Sequence, residues 1–128
     1  MLKTKPILSE REISDGLRIS IMSRHTLNDG ITPDLRLENR FDSHLPIYAP
    51  PLKLLGDYYK RSLSWENFEK EYNSYLDSIP NLIKNLAERA INKNITLMCI
   101  EDSPEECHRR LLAERCRLIC PSLDILVK

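Results

Sequence analysis

Residues 95–110, ITLMCIEDSPEECHRR, combine side chains that could do chemistry: thiols, an imidazole, carboxylates and guanidinium groups. The sharpest part is Cys107-His108-Arg109, which follows an acidic pair beginning at Glu101. A thiol beside an imidazole suits nucleophilic attack, and an imidazole or a carboxylate suits proton transfer. We therefore predict that Cys107, His108 and Glu101 are the catalytic candidates of this chain.

The pattern around these residues predicts the elements that position them. The uncharged apolar run 95–100 is typical of a strand covered on both faces in a parallel sheet. Ser103 before Pro104 predicts a helix start, and we expect this helix to end at Ile119. Cys107 would then lie in the second helical turn, beside a strand's carboxyl end, where open α/β sheets hold their ligand crevices.

Strand and helix patterns alternate along the rest of the chain. Residues 17–23 and 123–127 predict further strands, and helix starts are indicated near Pro51, after Ser64 and at Pro80. Strands separated in this way need helical crossovers. We predict a single α/β domain over residues 1–128, three-layered (α/β/α) and Rossmann-like, with a small, mainly parallel sheet of about three strands and helices on both faces.

Two local patterns carry further expectations. Residues 1–13 are expected to form a tail or an edge strand, because Pro6 cannot donate a ladder hydrogen bond. The helices after Pro51 and Ser64 have apolar stripes at helical spacing, and on the second the spacing favours core packing over a stacking platform. Those stripes consist of Leu52, Leu55, Tyr58 and Tyr59 on the first helix, and Trp65, Phe68, Tyr72, Tyr75 and Leu76 on the second.

A second group of candidates follows the first predicted strand. Parallel strands place their carboxyl ends together, which would bring Arg24 and His25 near the Cys107 cluster. We predict that Arg24, Arg109 and His25 bind the substrate, with the two guanidinium groups clamping a phosphate. Alternatively, the arginines form structural ion pairs, Cys107 is a structural thiol, and His108 is a helix-surface residue bonded to a nearby carboxylate.

Metal and cofactor sites have little support in the spacing of residues. A metal site from Cys99, Cys107 and His108 is an alternative, but it lacks the paired short spacers of structural zinc, so no metal is predicted. The chain has only three glycines, and none are grouped. Without a Gly-rich phosphate loop, no cofactor is predicted.

The composition narrows the class of partner. The 128 residues carry 19 basic and 19 acidic side chains, and this balance does not suit a non-specific nucleic-acid binder. No secretory signal and no apolar run of membrane-spanning length is visible, so no membrane association is expected. The four cysteines are expected to be reduced thiols in a cytoplasmic protein.

Several segments resemble one family. LMCIEDSPEECHRRLLAE is similar to the C-terminal signature of the domain-of-unknown-function 488 family. SDGLRISIMSR and APPLKLLGDYYKRSLSWENFEKEY resemble the opening strand and the helical middle of its YeaO-like branch. HTLNDG stands where that branch usually has a Trp-Pro-Arg-Gly loop. The resemblance implies an α/β fold and candidate positions rather than a reaction.

These observations favour a small enzyme that acts on a phosphate-bearing substrate, such as a nucleotide or nucleic acid, through the Cys-His-Arg cluster. The alternative is a non-catalytic anion-binding or nucleic-acid-binding module in which the same cluster is structural. Both interpretations, and the oligomeric state, stay open at the level of the sequence.

Overall fold

The computed structural model describes residues 1–128 and contains one sheet of five parallel strands in the order β3-β2-β4-β1-β5. This confirms the α/β class and the parallel sheet, with more strands than the three expected. The strands are β1 (Leu2–Pro6), β2 (Leu17–Ser20), β3 (Ser43–His44), β4 (Ile95–Cys99) and β5 (Ile125–Val127).

Four α-helices connect the strands. Ser64 caps the second helix, since its side chain accepts a hydrogen bond from the Asn67 N–H, and the third begins at Pro80, as the sequence predicts. None of the helices has both the length and the apolar character needed to cross a bilayer. The helices are α1 (Leu52–Lys60), α2 (Trp65–Asp77), α3 (Pro80–Asn92) and α4 (His108–Ile119).

The two faces of the sheet are covered differently. Alternate strand residues, including Leu2, Ile19 and Leu97, pack in one core with buried side chains from all four α-helices. The opposite face holds a smaller cluster around Ile7 and Met98, and it is covered by loops and a 3₁₀ helix at Ile13–Asp15. The sequence predicts helices on both faces of the sheet. The α-helices all pack on one face, and the other face is covered by 3₁₀ structure and loops.

β1 lies inside the sheet, between β4 and β5, so the expectation of a tail or an edge strand is wrong for residues 2–6. The Leu2 N–H points toward the β5 side, where it donates to the Asp124 carbonyl. By alternation the Pro6 nitrogen points the same way. Pairing with β5 ends at Thr4, so Pro6 interrupts no ladder. On the other side, the Ile7 N–H continues the ladder by donating to the Cys99 carbonyl at 2.7 Å.

A buried charge network supports the face covered by loops. The Asp15 carboxylate, which is fully buried, lies 3.1 Å from Lys3 Nζ, 3.0 Å from Lys5 Nζ and 3.3 Å from Arg18 Nη1. Burial alone would raise the pKa of Asp15, but hydrogen bonds from the Glu12 N–H and both ammonium groups lower it to about 2. One carboxylate thus joins β1, β2 and the 3₁₀ helix.

Removing this carboxylate should destabilise the fold strongly. Asp15→Asn would leave buried cations without their counter-charge, and breaking a buried pair typically costs about 3–5 kcal/mol. Urea unfolding monitored by circular dichroism measures the change. Asp77→Asn is the control, since its ion pair with Arg115 is exposed and should contribute far less. Equal losses in the two variants would contradict a central role for Asp15.

Candidate functional site

α4 begins at His108, with the extended Cys107 as its N-cap, and not at Ser103 as the sequence predicts. Ser103 Oγ accepts from the Glu105 N–H, and the Cys107 N–H donates to the Pro104 carbonyl, so residues 103–107 form a separate turn. The Arg110 side chain holds this turn by donating to carbonyl oxygens within it. Cys107 therefore lies at the helix N-terminus, next to the end of β4.

Three buried side chains meet there, and we call Cys99, Cys107 and His108 the thiol–imidazole cluster. Their sulfur atoms and an imidazole nitrogen all lie within 4.8 Å of one another. Cys99 Sγ is 3.8 Å from His108 Nδ1. Cys99 is the last residue of β4, so the carboxyl edge of the parallel sheet carries the cluster, as the topology predicts.

A backbone hydrogen bond fixes the orientation of His108. Nε2 lies 2.8 Å from the carbonyl oxygen of Ile21, and a carbonyl can only accept, so Nε2 carries the proton and donates. In the neutral ring Nδ1 then presents a lone pair toward Cys99. The ring also packs edge-on against Tyr72. The alternative of a helix-surface histidine bonded to a carboxylate is wrong.

The two thiols of the cluster have opposite pKa shifts. A hydrogen bond from Cys107 lowers the pKa of Cys99 against the effect of burial, with help from the Ile100 and Glu101 N–H groups. The same hydrogen bond, together with burial, raises the pKa of Cys107 well above its ordinary value. This direction is opposite to that expected of an activated nucleophile at Cys107. Of the two thiols, Cys99 is therefore the more easily ionised.

A cavity of about 450 Å³ opens beside the cluster and is lined by all three of its residues. Arg24 and His108 both line it, so these two candidates face one cleft. One wall is a helical stripe of α1 with i, i+3, i+4, i+7 spacing. That stripe consists of Leu52, Leu55, Gly56 and Tyr59.

The predicted apolar stripe of α1 is divided between the core and the cavity. Leu55 and Tyr58 pack against the core. Leu54 is the side chain of α1 that is buried in the core, whereas Leu52 and Tyr59 are more than half exposed and face the cavity. A short helix between the core and the cavity has one apolar stripe facing each of them. Helical spacing alone does not show which stripe faces the core. The aromatic stripe of α2 does pack in the core, as predicted, although Trp65 and Phe68 also reach the cavity wall.

Arg24 is exposed at the cavity, and no carboxylate lies within 4.0 Å of its guanidinium. The loop after β2 positions it through Gly30, which has a φ of 71°. A Cβ on Gly30 would lie 3.0 Å from Arg24 Nη1, so the glycine allows the guanidinium to lie against the loop. Lys60, at the end of α1, also lines the cavity without an ion pair, and the sequence pattern did not single it out.

Arg109 occupies a different environment from Arg24. It is fully buried and donates to the carbonyl oxygens of Glu101 at 2.7 Å, Lys128 at 3.1 Å and Asp102 at 3.4 Å. The guanidinium therefore bonds backbone carbonyls rather than the carboxylates expected in the ion-pair alternative. With its donors engaged, Arg109 supports the site structurally and is not placed to clamp a ligand.

Glu101 lies on the cavity wall, where its Oε1 accepts a 2.6 Å hydrogen bond from the Tyr59 hydroxyl. Burial and this carboxylate raise the pKa of Tyr59 far above its ordinary value. The carboxylate is thus paired with a phenol and not with His108, which bonds Ile21. Glu106 also lines the cavity, and Tyr58 is the aromatic residue beside it.

His25 is not brought to the cavity. Its neighbours Arg24 and Thr26 line the cavity, while the His25 ring points to the other side of this extended segment. There its Nε2 lies 2.6 Å from Ser20 Oγ, and the ring contacts His44 and Phe41. Burial first, and then the nearby His44, lower the pKa of His25.

The fold and the site define a class: an α/β protein with a thiol–imidazole cluster at the carboxyl edge of a parallel sheet, open to a cavity. The chain belongs to DUF488-N3a, described as the active DUF488-N3 subclade, whose family model matches residues 2–117. This confirms the resemblance to the 488 family. No curated protein and no solved structure gives a significant match.

Thiol reactivity should follow the opposite pKa shifts. We expect Cys99 to be alkylated with a pH midpoint below the model thiol value of about 8.5, and Cys107 only above it. Cys107→Ala should raise the midpoint of Cys99, because it removes the donor, while Cys120→Ser, outside the cluster, should not. Mass spectrometry of iodoacetamide-treated protein measures each site, and a lower midpoint for Cys107 than for Cys99 would contradict this assignment.

Acidification should cost stability through His25. Its folded pKa lies below the unfolded value of about 6.5, so the unfolded chain binds the proton more readily. The stabilising contribution is complete above that value and is lost as the pH falls through the folded pKa. The free energy of unfolding should therefore fall less between about pH 7.5 and about pH 5.5 in His25→Gln than in the wild type. Phe41→Leu, which alters the same contacts without removing a titrating group, should keep the wild-type difference.

Proposed function

We propose that this protein is a thiol-dependent enzyme that hydrolyses a phosphate ester, with Cys99 as the nucleophile. The observation that carries the proposal is the meeting of the thiol–imidazole cluster and an unpaired arginine, Arg24, on the wall of one cavity. Perturbed thiols in a cleft, beside a cation with no partner, are a typical combination for a reactive site.

Two cations in the lining of the cavity suit the phosphate. Arg24 and Lys60 line it without ion pairs, and Arg24 can offer two parallel N–H donors to phosphate oxygens. The sequence predicts a phosphate clamp of two arginines, Arg24 and Arg109. In this proposal Arg24 keeps that role, and Lys60 takes the place of Arg109, which is buried.

The apolar part of the cavity lining suits an apolar group. Leu52, Leu55 and the aromatic rings of Tyr58, Tyr59 and Trp65 line it. A volume of about 450 Å³ is in the range of small-molecule sites. A nucleotide or another small ester with a flat ring would place its ring on this wall and its phosphate toward Arg24. We therefore favour a small molecule over a nucleic acid, which also agrees with the zero net charge.

The chemistry would run in two steps. His108 Nδ1, 3.8 Å from Cys99 Sγ, takes the thiol proton. The Cys99 thiolate attacks phosphorus, and the bond to the ester oxygen breaks while that oxygen takes the proton from His108. Water then attacks the phosphocysteine, the sulfur–phosphorus bond breaks, and the thiolate is restored. Nδ1 of His108 accepts the proton of the attacking water, which its fixed tautomer permits.

Two further observations support this proposal. The matching family model is described as the active DUF488-N3 subclade, a description that an enzyme would fit. All four cysteines are free thiols. A reactive Cys99 needs a reducing compartment, so a cytoplasmic location is part of the proposal.

Steady-state assays with nitrophenyl phosphate and a panel of nucleotides test the proposal. Cys99→Ser should lower kcat by at least about 10³-fold, as loss of a nucleophile does. Arg24→Gln should act mainly on KM, and Cys120→Ser should change neither constant. Acid quenching during turnover should trap phosphate on Cys99, detected by mass spectrometry.

Retained activity in Cys99→Ser would overturn the proposal. The binding-module interpretation makes a different prediction: no turnover, but a rise in melting temperature with millimolar phosphate in the wild type that Arg24→Gln abolishes. Arg109→Gln is not a useful probe for this question, because it would disturb the fold.

A further inference from the structure

We propose that the thiol–imidazole cluster is also a binding site for a thiophilic divalent cation, and that Zn²⁺ fits it best. The inference goes beyond the proposed function and does not depend on it. It rests on the donor set, the geometry of the three side chains and their position on the cavity wall.

The distances between donors are close to those of a zinc site. Zinc binds thiolate sulfur at about 2.3 Å and imidazole nitrogen at about 2.0–2.1 Å, so tetrahedral geometry places neighbouring donors roughly 3.5–3.8 Å apart. Cys99 Sγ and His108 Nδ1 already lie 3.8 Å apart. No pair of the three donor atoms is more than 4.8 Å apart, so rotation of the Cys107 side chain on its fixed backbone could close the site.

His108 is oriented as a metal ligand. Metal-binding histidines usually donate their second ring N–H to a carbonyl or a carboxylate, which fixes the tautomer and the ring. Here Nε2 donates to the Ile21 carbonyl at 2.8 Å. Nδ1 makes one hydrogen-bond contact, to Cys99 Sγ, and this weak contact leaves its lone pair available to a cation.

The donor set and the cavity decide what would bind and how. Two cysteine sulfurs, which lose their protons as the metal binds, and one imidazole select zinc over magnesium or calcium, which prefer oxygen ligands. Because all three residues line the cavity, the fourth coordination position would face it. Three protein ligands with one open position are typical of zinc sites that admit a small ligand, whereas structural sites are closed. While the metal is bound, the Cys99 sulfur cannot attack a substrate.

Cobalt substitution gives a readout that is independent of activity. The full-length protein, reduced and stripped with a chelator, is titrated with Co²⁺ and observed by absorption spectroscopy. One equivalent should produce a thiolate-to-cobalt charge-transfer band together with the visible bands of tetrahedral cobalt, and Zn²⁺ should displace both.

Variants test whether the three residues hold the metal. Cys107→Ser and His108→Gln should each weaken Co²⁺ and Zn²⁺ binding by more than about tenfold, the smallest effect expected even for residues behind the ligands. Serine is a good N-cap, so Cys107→Ser should keep α4 folded, which melting curves verify. Cys116→Ser and Cys120→Ser are matched controls outside the cluster and should bind as the wild type does.

Absence of a thiolate–cobalt band in the wild type would overturn the metal site, as would a band that survives in both cluster variants. These outcomes are separate from the failure of the proposed function, which is measured as the activity of metal-free protein with and without Cys99. Binding of Zn²⁺ should also slow alkylation of Cys99, while Mg²⁺ at the same concentration should not.

Discussion

Arg109, in the first turn of α4, donates to the carbonyl oxygens of Glu101, Asp102 and Lys128. These hydrogen bonds join α4 to the segment that follows β4 and to the residue that follows β5. A buried guanidinium must have its donors occupied, so the backbone here can move only if several hydrogen bonds are lost together. The same hydrogen bonds hold the backbone of the adjacent residues His108 and Cys107 in place. The site can therefore hold two thiols and an imidazole at fixed separations although it lies beside a turn.

Within the cluster, two different constraints set the chemistry. The hydrogen bond to the Ile21 carbonyl leaves Nδ1 as the free nitrogen of His108. The Cys107 thiol makes Cys99 the more easily ionised of the two cysteines. Neither constraint is a charge in the cavity, so both persist whether or not a ligand is present. Arg24 is the opposite case, because it is exposed, unpaired and held by a loop. The site thus separates a preformed reactive part from a cationic part that is open to an anion.

Much of this was accessible from the sequence. Apolar periodicity and capping residues predicted the parallel sheet, the start of α2 at Ser64 and the position of the site at the end of β4. The pattern failed where a choice depends on distant residues. Pro6 predicts an edge strand, because the early end of the β5 ladder is not visible locally. Ser103 has the residue type of an N-cap, but it closes its own turn. Arg109 has the residue type of a phosphate clamp and Cys107 that of a nucleophile. Only the fold shows that backbone carbonyls occupy the Arg109 guanidinium and that Cys99 is the more easily ionised thiol. The position of Cys99 as the last residue of a buried strand was the signal that could have identified it.

The strand order has a consequence for how the chain reaches its folded state. β4 lies between β2 and β1, and its register pairs Ile95 with both Leu17 and Leu2. The two strands nearest the N-terminus therefore have no central partner until β4 (Ile95–Cys99) is made. Such non-local pairing closes long loops and slows folding. During synthesis the charged residues of β1 and β2 would stay hydrated until β4 pairs with these strands. The two strands are therefore less prone to associate with other chains than purely apolar strands would be.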